Sequence, residues 1–288
     1  MKVKEALRGV ATNLAIDAVE EAPLEAELLL MHVLGLDRAG LYVALEDDLS
    51  PERRVTLSEM VDRRLRREPL AYITGRREFF GLDFYVGPEV LIPRPETELL
   101  VEEVIAFVER NFPCGDPVIA DIGTGSGAIA VSLAVSLPRA RGYAVDISAR
   151  ALEIAQVNCL RHNVGVELLE GDILSQLPEA MDVIVANLPY VRDGDMDGLC
   201  EEIREHEPRV ALSGGKDGLD VVRRLIAGAP ERLRPGGLVL LEVAPDQVQA
   251  IVEFASGIDS WRSVDSVADI GGVPRALRLI LTKHCSEV

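Results

Sequence analysis

The chain has 288 residues, 48% of them hydrophobic, with 30 basic against 48 acidic side chains and a formal charge of −18. That length suits about two domains, and the apolar share is enough for a real core. Residues 1–77 are close to balanced and residues 78–288 hold 34 of the acids against 18 basic groups, so the chain lacks the basic surface that unselective DNA or RNA binding requires.

The N-terminus alternates charged with apolar residues and has no uninterrupted hydrophobic run, so it does not read as a signal peptide. Val3, Leu7, Val10, Ala11 and Leu14 recur at helical spacing. A second helical run follows Pro23 and extends to Leu36. A third starts at Ser50-Pro51, a capping residue followed by proline at the first helical position, and continues to about Arg67. Residues 1–75 therefore predict a small all-helical domain, with the arginines at 53, 54, 63, 64, 66 and 67 on a solvated face.

From Glu78 to Pro93, β-branched and aromatic residues are broken by Gly81 and Gly87-Pro88, which predicts a β-hairpin linker over 76–94. A helix then runs from Pro95 to about Asn111. Strand and helix alternate to the end, with strands at 117–122, 141–146, 166–170, 181–186, 237–243, 262–268 and 275–282. This alternation predicts an α/β, Rossmann-like fold over 95–288, with a seven-stranded, mostly parallel sheet and helices on both faces. No stretch reaches the length of a bilayer span; the longest uncharged one, Ile122 to Pro138, is rich in Gly and Ser.

Open α/β sheets bind ligands at the carboxyl ends of their strands. The first strand ends in Asp121-Ile122-Gly123-Thr124-Gly125-Ser126-Gly127, directly before an apolar helix. Glycines there let backbone approach a ligand, and the start of the helix offers free N–H groups. Gly123, Gly125 and Ala128 also satisfy G-x-G-x-x-A, so the loop alone leaves a nicotinamide dinucleotide as an alternative. Asp146 ends the second strand, 19 residues beyond Gly127, where a carboxylate can accept from both ribose hydroxyls. Asp172 and Ile173 end the third, where adenine contacts fall. A carboxylate-rich rim suits a cofactor with a cationic sulfonium and ammonium better than a pyrophosphate, which favours S-adenosylmethionine.

The fourth strand runs into Asn187-Leu188-Pro189-Tyr190. Asn-Pro-Pro-Tyr at this strand end marks methyltransferases acting on planar, conjugated nitrogens. With Glu68-Pro69-Leu70-Ala71-Tyr72-Ile73-Thr74-Gly75, Arg77-Glu78-Phe79-Phe80, Leu91-Ile92-Pro93-Arg94-Pro95-Glu96-Thr97-Glu98 and Glu207-Pro208-Arg209-Val210-Ala211-Leu212, nearly the whole chain resembles the bacterial peptide-chain release factor N5-glutamine methyltransferases. The resemblance implies a class I S-adenosylmethionine-dependent fold and methylation of the glutamine in the Gly-Gly-Gln loop of class I release factors. It also implies an N-terminal domain that docks the factor, and a cytoplasmic enzyme without metal, membrane or direct nucleic-acid partners.

A glutamine amide nitrogen is a poor nucleophile, because its lone pair is delocalised into the carbonyl. The workable solution holds both N–H groups by acceptors and aims the nitrogen along the S–CH₃ axis. Asn187 Oδ1 is one acceptor, and by resemblance the backbone carbonyl of residue 188 is the other. Tyr190 then lies against the flat amide. Asn187, Leu188, Pro189, Tyr190 and Arg94 form the expected substrate site; Asn187 also borders the cofactor. The family usually has Pro where Leu188 stands, but a main-chain acceptor survives that change, and Pro189 still biases residue 188 toward extended backbone.

Asp193, Asp195, Asp197 and Gly198 imitate the start of a calcium loop, yet the twelfth position is Arg204 rather than Glu. Residues 191–207 read instead as an acidic lid. Cys114, Cys159, Cys200 and Cys285 are scattered, which predicts reduced, buried thiols. His32, His162, His206 and His284 lack zinc spacing. Three other functions stay open. They are methylation of a glutamine in the ribosomal protein uL3, methylation of an exocyclic amine in nucleic acid, and cofactor binding without catalysis.

Overall fold

In the computed structural model, which describes residues 1–282, the chain divides into two units. Met1–Arg76 and Cys200–His206 make up one; Arg77–Leu199 and the chain from Glu207 onward make up the other. Cys285 and His284 lie outside the described residues.

The smaller unit contains α1 (Val3–Ile16), α2 (Ala22–Leu34), α3 (Arg38–Val43), α4 (Pro51–Leu65) and α5 (Leu70–Thr74). Helical periodicity turns Val3, Ala6, Val10 and Leu14 of α1 into its core, against Leu29 and Leu30 of α2. Gly35 ends α2 in the left-handed region, at φ +68°. Ser50 caps α4 by accepting from Arg53 N at 3.3 Å. One arginine departs from the solvated face expected for α4. Arg64 shares a helical stripe with Leu57, Met60 and Val61 and is buried with them. Its charge is met by Glu25 at 2.6 Å and by Glu202 at 2.7 Å, on a short helix contributed by the later segment of the unit. Two carboxylates are what make burial of a guanidinium tolerable.

In the larger unit, β1 (Arg76–Phe79) and β2 (Leu82–Tyr85) form the hairpin. Phe80 and Gly81 turn it with φ of +53° and +71°, the twist that matches paired strands. Asn158 ties its end down, accepting from Tyr85 N at 2.7 Å and donating to Tyr85 O at 2.9 Å.

The sheet comprises β3 (Val118–Ile122), β4 (Arg141–Asp146), β5 (Val166–Glu170), β6 (Met181–Ala186), β7 (Leu233–Glu242), β8 (Trp261–Ala268) and β9 (Pro274–Leu281), in the order β5-β4-β3-β6-β7-β9-β8. The first five run parallel; β9 lies antiparallel to both β7 and β8. β3 and β6 are buried along their whole length, as central strands covered on both faces must be. The connecting helices are α6 (Glu98–Asn111), α7 (Ala128–Ser136), α8 (Ala149–Arg161), α10 (Asp220–Gly228) and α11 (Val248–Ser256), while α9 (Glu201–His206) belongs to the smaller unit. Val118, Ala120, Ile122, Ile184, Val239 and Leu241 share one cluster with Val222, Leu225 and Ile226 of α10 and Ile251 of α11. The alternate strand residues point to the opposite face.

β7 starts four residues before the sequence suggests. Pro235 and Gly236 are unfavourable inside a strand, but Leu233 pairs with Met181 across an irregularity in the ladder, and Arg234 reaches Asp182 at 2.7 Å. The chain leaves β3 for β4 and β5 on one side and returns to β6 on the other. That reversal opens a crevice beyond the carboxyl ends of β3 and β6.

Candidate active site

Two loops meet at this crevice. In the first, Gly123, Gly125 and Gly127 all lie in the left-handed region, at φ +74°, +55° and +81°. A side chain at Gly127 would stand 3.2 Å from Ala155 Cβ, so glycine there lets α7 and α8 pack closely. At Gly125 a Cβ would meet nothing within 4 Å, because the backbone faces open cavity.

The N–H groups of this loop are largely spent inside the protein. Gly123 and Thr124 donate to Val145 O at 2.8 and 3.0 Å, Gly125 donates to Asp146 Oδ2 at 2.8 Å, and Gly127 donates to Thr124 O at 2.9 Å. Ala130 N, inside the first turn of α7, is taken by Asp121 at 3.2 Å. The donors of Gly123, Thr124, Gly125, Gly127 and Ala130 are therefore taken within the protein, and a carboxylate holds the Gly125 N–H that a diphosphate would need. That weighs against a diphosphate at this loop.

Asp146 is mostly buried; its second oxygen accepts from Ser148 N at 2.9 Å, and burial raises its carboxyl above the ordinary value. Asp121 is buried beneath the loop. Oδ2 accepts from Thr124 Oγ1 at 2.6 Å, while Oδ1 has no hydrogen-bond partner. Burial outweighs the hydrogen bonds from Thr124 and Ala130, and the carboxyl is pushed up to about 7.

A cavity of about 530 Å³ is lined by Gly123–Ser126, Asp146, Asp172, Ile173, Asn187, Leu188, Pro189 and Arg94. Of the residues expected at the site, Asp121, Gly127 and Tyr190 are not on its wall. Asp172 is engaged by Arg224 at 2.5 Å. Ile173 holds φ +54°, a strained conformation for a β-branched residue.

The second loop, Asn187 to Tyr190, is fixed by hydrogen bonds. Gln247 Nε2 donates to Tyr190 O at 2.9 Å, Val191 N donates to Leu212 O at 2.9 Å, and Gly214 N donates to Val191 O at 2.9 Å. Leu188 is buried, its Cδ2 only 3.1 Å from where a Cβ on Gly123 would sit, so it closes the gap between the two loops. Asn187 Nδ2 donates to Thr97 Oγ1 at 3.1 Å, and Thr97 donates to Glu242 Oε2 at 2.6 Å. Tyr190 directs its hydroxyl to Glu242, 3.5 Å away, and burial with this carboxylate pushes the phenol up to about 12. Burial likewise raises the Glu242 carboxyl.

Sequence reasoning did not single out Thr97, Glu207 or Glu242. Glu207 is buried, where it accepts from Arg94 and, at 3.4 Å, from Ile92 N. Thr97 and Glu207 stand inside quoted motifs, but nothing nearby in sequence indicates their partners. Glu242 had a usable signal, an acid closing an apolar strand at the ligand-binding end of the sheet.

The expected acidic lid is three separate pieces. Asp193–Gly198 forms a 3-10 turn held by Ser213 and Arg192, Cys200–His206 belongs to the helical unit, and Glu207 is buried. Cys159 is buried, whereas Cys114 and Cys200 are exposed because they sit in connecting segments. Among the described residues no cluster of His, Cys, Asp and Glu could hold a metal ion, and no single helix is long and apolar enough to cross a membrane.

Comparison with known proteins adds to this geometry. Residues 5–75 match the family model described as PrmC N-terminal domain, and residues 97–216 match that described as Methyltransferase small domain. The release factor glutamine methyltransferase of Moorella thermoacetica is 45% identical over 278 residues, which is 96% of this chain and 97% of the relative. That of Geobacter sulfurreducens is 46% identical over 255 residues, 88% of each chain. Among solved structures, a methyltransferase from Pyrococcus furiosus aligns with a TM-score of 0.53 at 23% identity, over 78% of this chain and 99% of that one, a likeness of fold.

Proposed function

The chain belongs to the release factor glutamine methyltransferase family, and from that premise we propose that it methylates the side-chain nitrogen of the Gly-Gly-Gln glutamine of class I release factors in the cavity beyond β3 and β6. The observation that carries this reading is Asn187, on the wall of the same cavity as the glycine loop, Asp146 and Asp172.

The residues present suit S-adenosylmethionine. Asp146 lines the cavity with Asp172, which Arg224 pairs, and Asp121 lies under the loop with an unpartnered buried oxygen; these carboxyl groups offer acceptors to a ligand that carries ammonium and hydroxyl donors. When bound, this cofactor supplies an electrophilic methyl group on a positively charged sulfur and leaves as S-adenosylhomocysteine. Gly123, Thr124, Gly125 and Ser126 shape the floor that holds it, with Gly127 turning the chain into α7 behind them; Asp146 serves the ribose, and Asp172 with Ile173 the adenine.

Asn187 Oδ1 and the Leu188 carbonyl accept the two N–H groups of the glutamine amide and orient its nitrogen for in-line attack. Orientation of this kind supplies about 7–11 kcal/mol in favourable cases, so positioning can account for most of the acceleration. Pro189 keeps the backbone of Leu188 extended and its carbonyl available. Once methylated, the nitrogen is cationic and sheds its proton readily, so no dedicated base is needed. Arg94, steadied by the buried Glu207, faces the cavity as a contact for the substrate loop. Tyr190 supports the amide-binding loop from the Glu242 side. Residues 1–75 dock the release factor, 76–94 link, and 95–288 carry the chemistry, which takes place in the cytoplasm where the factors are.

The test is mass spectrometry of purified release factors incubated with this protein and S-adenosylmethionine. We expect one added methyl group on the Gly-Gly-Gln glutamine. No gain, with cofactor binding intact by calorimetry, would sink the reading and make uL3 the next substrate to try.

A further inference from the structure

We propose that Thr97 and Glu242 are positioning residues that decide which end of the Asn187 amide faces the cavity. The inference rests on the reading of Asn187 Oδ1 as acceptor for the substrate amide. An asparagine side chain fits its site almost equally well either way round, since its oxygen and nitrogen are nearly the same size. Only the oxygen can accept a substrate N–H. The reversed amide would present donors to donors.

The direction follows from counting hydrogens. The Thr97 hydroxyl has one, and Glu242 Oε2 stands 2.6 Å away, an oxygen that only accepts in the ionised carboxyl; hydrogen bonds from Thr97 and Tyr190 favour that form against the burial that raises the group. That hydrogen goes to Glu242. The remaining lone pairs of Thr97 Oγ1 can then only accept, and the neighbour at 3.1 Å must be the Asn187 amino group. The amino end of Asn187 thus has its acceptor behind the loop, and Oδ1 is the end left for the cavity. Thr97 and Glu242 are 4% and 6% exposed, which keeps water from substituting for either partner. They come from segments 145 residues apart, one on the turn before α6 and the other at the end of β7.

Three variants of the full-length protein test this with a release factor as substrate. Glu242→Gln keeps the volume but can donate to Thr97, freeing the hydroxyl to turn toward Asn187 and reverse the amide. Thr97→Val removes the hydroxyl at constant shape. Each is expected to lose about tenfold or more in kcat, with calorimetric affinity for S-adenosylmethionine within about twofold of the parent, as for an interaction felt only by the reacting amide. Thr97→Ser, which restores the hydroxyl, is expected to recover the rate to within about threefold.

A folded Glu242→Gln or Thr97→Val protein with kcat within about twofold of the parent overturns the proposal, provided Asn187→Ala is down by about 100-fold or more. An Asn187→Ala protein of near-parental rate instead removes the reading on which the proposal stands. If neither variant folds, the unaltered protein decides: the side-chain amide hydrogen of Asn187 that meets Thr97 should be protected from solvent exchange by NMR, and rapid exchange of both amide hydrogens overturns the proposal.

Discussion

Asp121 carries a costly buried charge. Its carboxyl sits at about 7, against an ordinary 3.8, because burial outweighs the hydrogen bonds from Thr124 and Ala130. A folded-state value above the unfolded one means that the folded protein holds its proton more tightly. The associated stability is therefore fully present below about pH 4 and is lost as pH rises through about 7, a change of up to about 4 kcal/mol. Asp121→Asn removes the titration, so its thermal midpoint should fall less than that of the parent between pH 4.5 and 7.5, by several degrees. Parallel curves for the two proteins would show that Asp121 does not titrate in this range. Its position before the glycine loop was plain in the sequence. Its burial was not, since an acid at a strand end is as often a solvated cap.

At the level of elements, the site depends on a loop that no motif flagged. Gly218 holds φ +78°, and a Cβ there would lie 2.3 Å from Tyr190 O and 2.4 Å from Gln247 Nε2. Gly218→Ala should therefore push the Tyr190 backbone and the Asn187 to Tyr190 loop away from their positions. We expect a loss of about 1–3 kcal/mol in thermal unfolding, with turnover falling further than cofactor affinity. A fully active, equally stable variant would show that this loop does not support the site. The strands β4, β5 and β6 were legible to the residue, because strand and helix periods differ; β6, buried along its whole length, is also a nearly unbroken apolar run. The start of β7 was not, because Pro235 and Gly236 are unfavourable inside a strand unless a partner strand holds it, as Met181 does here.

For the molecule as a whole, the excess of acidic groups decides against an alternative substrate. Enzymes that extrude a nucleobase need cationic surface to hold the backbone, and residues 78–288 carry 34 acids against 18 basic groups. Incubation with tritiated cofactor and bulk DNA or RNA should transfer no label above background at physiological salt. Transfer comparable to that seen with release factor would reinstate the exocyclic-amine alternative. Local sequence by itself determined the helical N-terminal region, the order of strands and helices, the glycine loop, the Asn187 motif and the resemblance to a family, because each is written in residues within one turn or one strand of each other. Tertiary structure alone decided that Arg64 is buried between Glu25 and Glu202, that Glu207 holds Arg94, and that Thr97, Asn187 and Glu242 meet. The physical reason is that hydrogen bonds between distant residues follow from strand order and chain reversal, and periodicity along the chain contains neither.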